Sequence, residues 1–169
     1  QSLNVADGRP GCASERHVSA VWSRHRLLET LQSFATLEPL DASEREEFTH
    51  LTQKQQLLER TLIFPRFHQY DCVQDMLSHT ILHGAGANYL IKHSTGSGKS
   101  YSMAWLAHLL ASLHRDEGRE KVFGTVLLVT DRVQLDAQLS SLVHSINPDA
   151  QIHIACSTAE LGSHLVDAP

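Results

Sequence analysis

Asn88-Tyr89-Leu90-Ile91-Lys92-His93-Ser94-Thr95-Gly96-Ser97-Gly98-Lys99-Ser100 is the stretch whose reading decides the fold. Its first four residues read as a short apolar strand. After it, from Ser102 to Leu113, the residues Met103, Leu106, Leu109, Leu110 and Leu113 recur at the spacing of one helical face. Between strand and helix lies a Gly-rich turn ending in Lys-Ser. Such a turn brings backbone N–H groups close to a polyphosphate, and the helix N-terminus behind it adds partial positive charge. Lys99 is placed to reach the β- and γ-phosphates, and Ser100 to put its hydroxyl on Mg²⁺. A nucleoside triphosphate is therefore the first ligand to consider. The bland alternative, a Gly/Ser turn with a chance Lys, leaves the agreement of both flanks unexplained. One position departs from the general loop pattern: His93 stands where the first Gly is usual, so the match is to x-x-T-G-S-G-K-S.

Working outward, Val122 to Val129 is a continuous apolar run, as expected of a parallel strand buried on both faces. Leu135, Leu139, Leu142, Val143 and Ile146 mark a helix from Val133 to Ile146, stopped by Pro148, and Ile152 to Ala155 is a third short strand. Arg115 to Gly118 reads as a turn, and Leu161 and Leu165 suggest a last helical turn. On the other side of the loop, Tyr70, Val73, Leu77 and Ile81 give a helix closed by Gly84 and Gly86. Strand, helix, strand, helix, strand is the alternation of an α/β fold with a parallel sheet. Crossovers should be right-handed, with ligand bound beyond the carboxyl ends of the strands.

Residues 1–13 read as loose. Val18, Val21, Trp22, Leu28 and Leu31 give a helical segment from Ser14 to about Leu37, ended by Pro39. Ser43 followed by Glu46 resembles a capping box, and Phe48, Leu51 and Leu58 mark a second polar helix to about Arg60. Leu62 to Pro65 breaks it. The expected organisation is a helical extension or linker over 1–60, then the N-terminal part of a nucleotide-binding domain over 61–169.

The 169 residues suit one domain with an appended helical piece, and 41% apolar content suffices for a packed core. A net charge of −5 argues against a strongly basic nucleic-acid clamp, without excluding a local groove. Three cysteines, Cys12, Cys72 and Cys156, form no C-x-x-C and no closed disulfide framework, which points to free thiols in a reducing, cytoplasmic setting. No apolar run approaches the roughly 18 residues of a membrane span, and no signal peptide is visible. The first residue is Gln1, so the chain is expected to be a piece of a longer one or a processed product. His79 and His83 are spaced to share a helix face, as metal ligands do. Without H-E-x-x-H or an obvious third ligand, solvated or packed histidines are the better reading.

Two further motifs flank the loop. Pro65-Arg66-Phe67-His68-Gln69-Tyr70 opens the preceding helix, and Thr130-Asp131-Arg132 ends the second predicted strand. An amide both donates and accepts, so Gln69 is suited to read an adenine edge.

With these residues in view the chain resembles the motor segment of the restriction (R) subunit of type I restriction–modification enzymes, within superfamily 2 helicases. The resemblance is carried by 64–71, by 88–100, by Ala104-Trp105-Leu106-Ala107-His108 and by 129–136, and covers about residues 62–140. It implies a P-loop RecA-like parallel sheet flanked by helices, forming an incomplete first motor lobe. It implies ATP and Mg²⁺ as cofactors, with Arg66 and Gln69 in an adenine-reading Q-type motif. Thr95, Gly96, Ser97, Gly98, Lys99 and Ser100 would form the Walker A element, and Ser100 would hold Mg²⁺ through ATP. Thr130, Asp131 and Arg132 would contact the DNA backbone; their plain alternative is a helix-capping Asp beside a solvated Arg. Loops of this superfamily commonly lack the first Gly, so His93 fits the resemblance. Double-stranded DNA and the modification and specificity subunits of a restriction complex would be the partners. The whole enzyme would be an ATP-dependent DNA translocase and endonuclease.

Parts of that machine are missing from the sequence. No apolar strand ends in a Walker B Asp-Glu: Asp116-Glu117 follows a helix, and Asp167 has no Glu. The arginine finger, the second lobe and the nuclease motif are also not found. The chain alone is thus expected to bind ATP weakly and hydrolyse it negligibly. Two rival readings remain open. A stand-alone P-loop kinase for a small metabolite would need an Arg-rich lid. A non-catalytic interaction module would keep the nucleotide as a structural ligand.

Overall fold

The computed structural model describes residues 24–39, 44, 50, 52, 55, 60–115 and 120–166. Helix α1 (Arg24–Ser33) lies within the predicted helical segment 14–37 but stops short of its end. Phe34 and Ala35 both donate backbone N–H bonds to the Thr30 carbonyl, which closes the last turn. Thr36 and Leu37 then leave as β1 (Thr36–Leu37), antiparallel to β2 (Leu62–Ile63), with Thr36 opposite Ile63. The capping box at Ser43 and the second polar helix fall outside the described residues apart from single positions.

Three helices surround the loop, α2 (Phe67–His83), α3 (Lys99–Ala111) and α4 (Val133–Ile146). Helices α2 and α4 lie over the predicted spans. Helix α3 starts at Lys99 rather than Ser102 and buries Ser102, Ala104, Trp105 and Ala107 instead of the predicted face Met103, Leu106, Leu109, Leu110 and Leu113, which is half-buried. Helix α2 ends at Gly84, whose φ of 75° lets the chain reverse while its N–H donates to Thr80. Helix α5 (Thr158–Val166) extends the predicted turn around Leu161 and Leu165.

Helix α3 is the spine. Its Trp105 is fully buried with Phe34, Val73 of α2 and Tyr70, and Ile63 of β2 packs on the same cluster. Phe34 lies 5.1 Å from the Tyr70 ring and 5.7 Å from the Trp105 ring, both in tilted contacts that aromatic quadrupoles favour. On another side Ala104 is small enough to admit Leu139 and Leu142 of α4. Thr36 adds a hydrogen bond from its hydroxyl to the Ser145 carbonyl at 3.1 Å, joining β1 to α4. Burial of each large apolar side chain of this kind stabilises by about 1.5–3 kcal/mol.

Strands β3 (His114–Arg115) and β4 (Glu120–Lys121) form an antiparallel hairpin with His114 opposite Lys121, and the turn predicted at 115–118 lies, beyond Arg115, outside the described residues. The Val122 N–H continues that hairpin to the Leu113 carbonyl. Among the described residues, β1–β2 and β3–β4 are the two ladders. The segments 88–91, 122–129 and 152–155, expected as parallel strands, carry no ladder there. Their apolar side chains Leu90, Leu127, Val129 and Ile154 lie exposed, on faces that a two-sided sheet would cover. No helix among the described residues is long and apolar enough to cross a membrane.

Candidate nucleotide site

The loop sits where α3 begins. Gly96 and Gly98 adopt φ of 74° and 79°, the left-handed region that glycine enters freely. A Cβ at Gly96 would meet open space. The first turn of α3 holds no acidic residue, and its orphan N–H groups keep their partial positive charge. The Ser97 hydroxyl oxygen and the His93 Nδ1 are buried without hydrogen-bond partners, polar capacity left over within the loop. These features fit a polyphosphate. Lys99 Nζ, exposed, folds back on the Ser94 carbonyl at 2.8 Å and the His93 carbonyl at 3.4 Å, acceptors that a phosphate can replace. Thr95 is exposed and Ser100 half-buried at the head of the helix.

The helix before the loop reaches it directly. Gln69, buried, donates from Nε2 to the Gly98 carbonyl at 2.9 Å and the Ser97 carbonyl at 3.2 Å. Its Oε1 accepts the Arg66 N–H at 2.7 Å, so the same amide caps the start of α2. Gln69 therefore holds loop backbone in this structure. Arg66 contributes the N-cap position of α2. His68 also donates to the Ser97 carbonyl, from Nε2 at 3.2 Å, and its ring meets His93 edge-on at 5.0 Å. Sequence reasoning did not single out His68. The only signal was its place between Arg66 and Gln69.

The third motif lies apart from these contacts. Asp131 and Arg132 are exposed and face each other at 4.0 Å, and Thr130 is half-buried. Arg132 occupies the N-cap of α4 without a side-chain cap, so the helix-capping role for Asp131 finds no hydrogen bond here. An open groove of about 670 Å³ between β1 and the C-terminal half of α4, lined by Arg60, Ser140, Ser141 and His144 among others, contains no loop residue.

The pair His79 and His83 shares a helix face as expected, with rings 4.2 Å apart, and His79 Nδ1 lies 2.6 Å from the Tyr89 hydroxyl. Among the described residues no three His, Cys, Asp or Glu side chains gather to hold a metal ion. Cys72 and Cys156 are free thiols.

Comparison with known proteins adds one finding. No curated protein and no solved structure matches the chain significantly. The model of the SWI2/SNF2 ATPase family matches residues 68–168, from the helix that braces the loop to the end of α5. With a Gly-rich loop that fits a polyphosphate lying inside that match, the chain belongs to the SWI2/SNF2 ATPase family and is a segment of a superfamily 2 helicase-type ATPase.

Proposed function

We propose that the chain is the ATP-binding segment of a DNA-translocating motor of the type I restriction R-subunit kind. The observation that carries the ATP site is the loop itself: two left-handed glycines, a helix N-terminus free of acidic residues, and Lys99 beside the opening. The narrower assignment rests on the resemblance over residues 62–140, and the family match supports its motor class. The segments 88–91, 122–129 and 152–155 are then strands of a parallel sheet, and Thr130, Asp131 and Arg132 approach the DNA backbone.

Within this reading each residue has a task. The Gly98 and Lys99 N–H groups and the Lys99 ammonium receive phosphate oxygens, and the Ser100 hydroxyl completes the coordination of a bound cation. Mg²⁺, when bound, neutralises charge that develops on the phosphates. Gln69 reads adenine after exchanging a loop carbonyl for the base. Double-stranded DNA and the modification and specificity subunits are the proposed partners.

Titration of ATP into the chain and into Lys99→Ala tests the site. Loss of a charge-assisted contact weakens binding by about 1.5–3 kcal/mol. Equal affinity in the two proteins would show that Lys99 holds no phosphate. Comparison of ATP with GTP in Gln69→Ala tests the base reading: the difference between the nucleotides shrinks if Gln69 reads adenine.

A further inference from the structure

We infer that His68 and Gln69 form a carbonyl clamp, with His93 as its strut, that turns the N–H groups of the phosphate loop toward an incoming triphosphate. The inference rests on the proposed nucleotide site and assigns positioning residues within it. Two consecutive side chains from the first turn of α2 draw on two consecutive loop carbonyls. His68 and Gln69 both donate to Ser97, and Gln69 also donates to Gly98. A trans peptide is planar, with its C=O and the following N–H pointing in opposite directions. Holding the Ser97 carbonyl toward α2 therefore turns the Gly98 N–H away from it. The Gly98 carbonyl, shared between Gln69 and the Tyr101 and Ser102 N–H groups of the first turn of α3, fixes the Lys99 N–H at the head of that helix. Neither of those N–H groups donates to another backbone carbonyl among the described residues. Both remain available for an anion.

His93 completes the device. It occupies the loop position where Gly is usual, and its ring meets His68 edge-on at 5.0 Å. Burial, with His68 and Lys99 nearby, holds its proton affinity below that of an ordinary imidazole. The edge-on ring stands as an aromatic wall that fixes the His68 rotamer. Because a carbonyl can only accept, the contact with Ser97 requires His68 to carry its proton on Nε2. The departure at His93 and the His in the preceding motif become one unit.

Binding of inorganic triphosphate and of adenosine to the chain, measured by calorimetry, tests the clamp. His68→Ala should weaken triphosphate binding about three- to tenfold, the range expected for one neutral hydrogen bond, with adenosine affinity unchanged. His68→Gln, which places an amide donor near the Nε2 position, should restore it to within about twofold. His93→Phe should retain triphosphate affinity, while His93→Gly, which restores the usual loop glycine, should weaken it. Imidazole nitrogen shifts should report the Nε2–H tautomer of His68 in the nucleotide-free chain. If the parent chain binds triphosphate and the His68 and His93 variants bind it equally well, the clamp is wrong and the nucleotide site stands. If the parent chain binds no triphosphate, the nucleotide reading falls and the clamp with it. A loss in His68→Gln as large as in His68→Ala would also overturn it, since the donor would then be irrelevant.

Discussion

At Gly98 the backbone and its neighbour make the same demand. Its φ of 79° disfavours any side chain, and a Cβ would collide with the Gln69 amide. Gly96 shares the left-handed conformation but faces open space. Gly98→Ala therefore combines backbone strain of about 1–2 kcal/mol with displacement of the amide that holds the loop, whereas Gly96→Ala carries the strain alone. Triphosphate titrations and thermal melts of the two variants should rank them, with Gly98→Ala the more damaging in both. Equal losses would mean that Gln69 contributes nothing to loop shape. Tyr70 offers a second residue-level prediction. Its hydroxyl donates to Glu29 at 2.9 Å, and burial together with that carboxylate pushes its pKa up to about 12. The folded state thus holds the phenol proton more tightly than the unfolded state. The associated stability is complete below the ordinary value of 10.0 and is lost as pH rises through about 12. Absorbance titration should show a late phenolate step that disappears in Tyr70→Phe.

At the scale of elements, α3 carries most of the packing, since Trp105 faces α2 and Phe34, just past the end of α1, while Ala104 faces α4. Trp105→Ala should destabilise by about 3–5 kcal/mol and Leu139→Ala by about 2–5 kcal/mol, read from denaturant midpoints at unchanged slope. A smaller loss at Trp105 than at Leu139 would move the centre of the core toward α4. Helices α2 and α4 were legible because a helix records its buried face in its own sequence, whereas α3, packed on two sides, buries Ser102, Ala104, Trp105 and Ala107 and leaves its predicted stripe Met103, Leu106, Leu109, Leu110 and Leu113 half-buried. Tyr70 and Val73 were on the predicted face of α2, and Leu139 and Leu142 on that of α4. The β1–β2 pair was not legible: Thr36 and Ile63 are distant in sequence, and nothing local names a strand partner. The same limit explains the site. The loop from 93 to 100 could be read as a phosphate cradle from its glycines and Lys99. That Gln69 grips the carbonyls of Ser97 and Gly98, and that His68 rests against His93, depends on how α2 lies across α3, which no spacing rule encodes.

For the molecule as a whole, binding and hydrolysis make different demands. Holding a triphosphate needs N–H groups, a Lys and a hydroxyl, all present at 96–100. Hydrolysing it needs carboxylates to hold metal and orient water, and a cation against the charge of the transition state. The arginine finger alone is worth about 10³–10⁵ in rate. No apolar strand of this sequence ends in Asp-Glu, and the pair Asp131 and Arg132 is exposed, with the two side chains 4.0 Å apart. The 169-residue chain should therefore bind ATP with Mg²⁺ and release it unchanged, with phosphate production indistinguishable from that of Lys99→Ala, and double-stranded DNA should not raise it. Phosphate release assays with and without DNA decide the point. Turnover abolished by Lys99→Ala and stimulated by DNA would mean that the described helices already assemble a working motor site. Turnover stimulated by a small acceptor would favour a metabolite kinase. ATP bound tightly without turnover or any response to DNA would favour an interaction module.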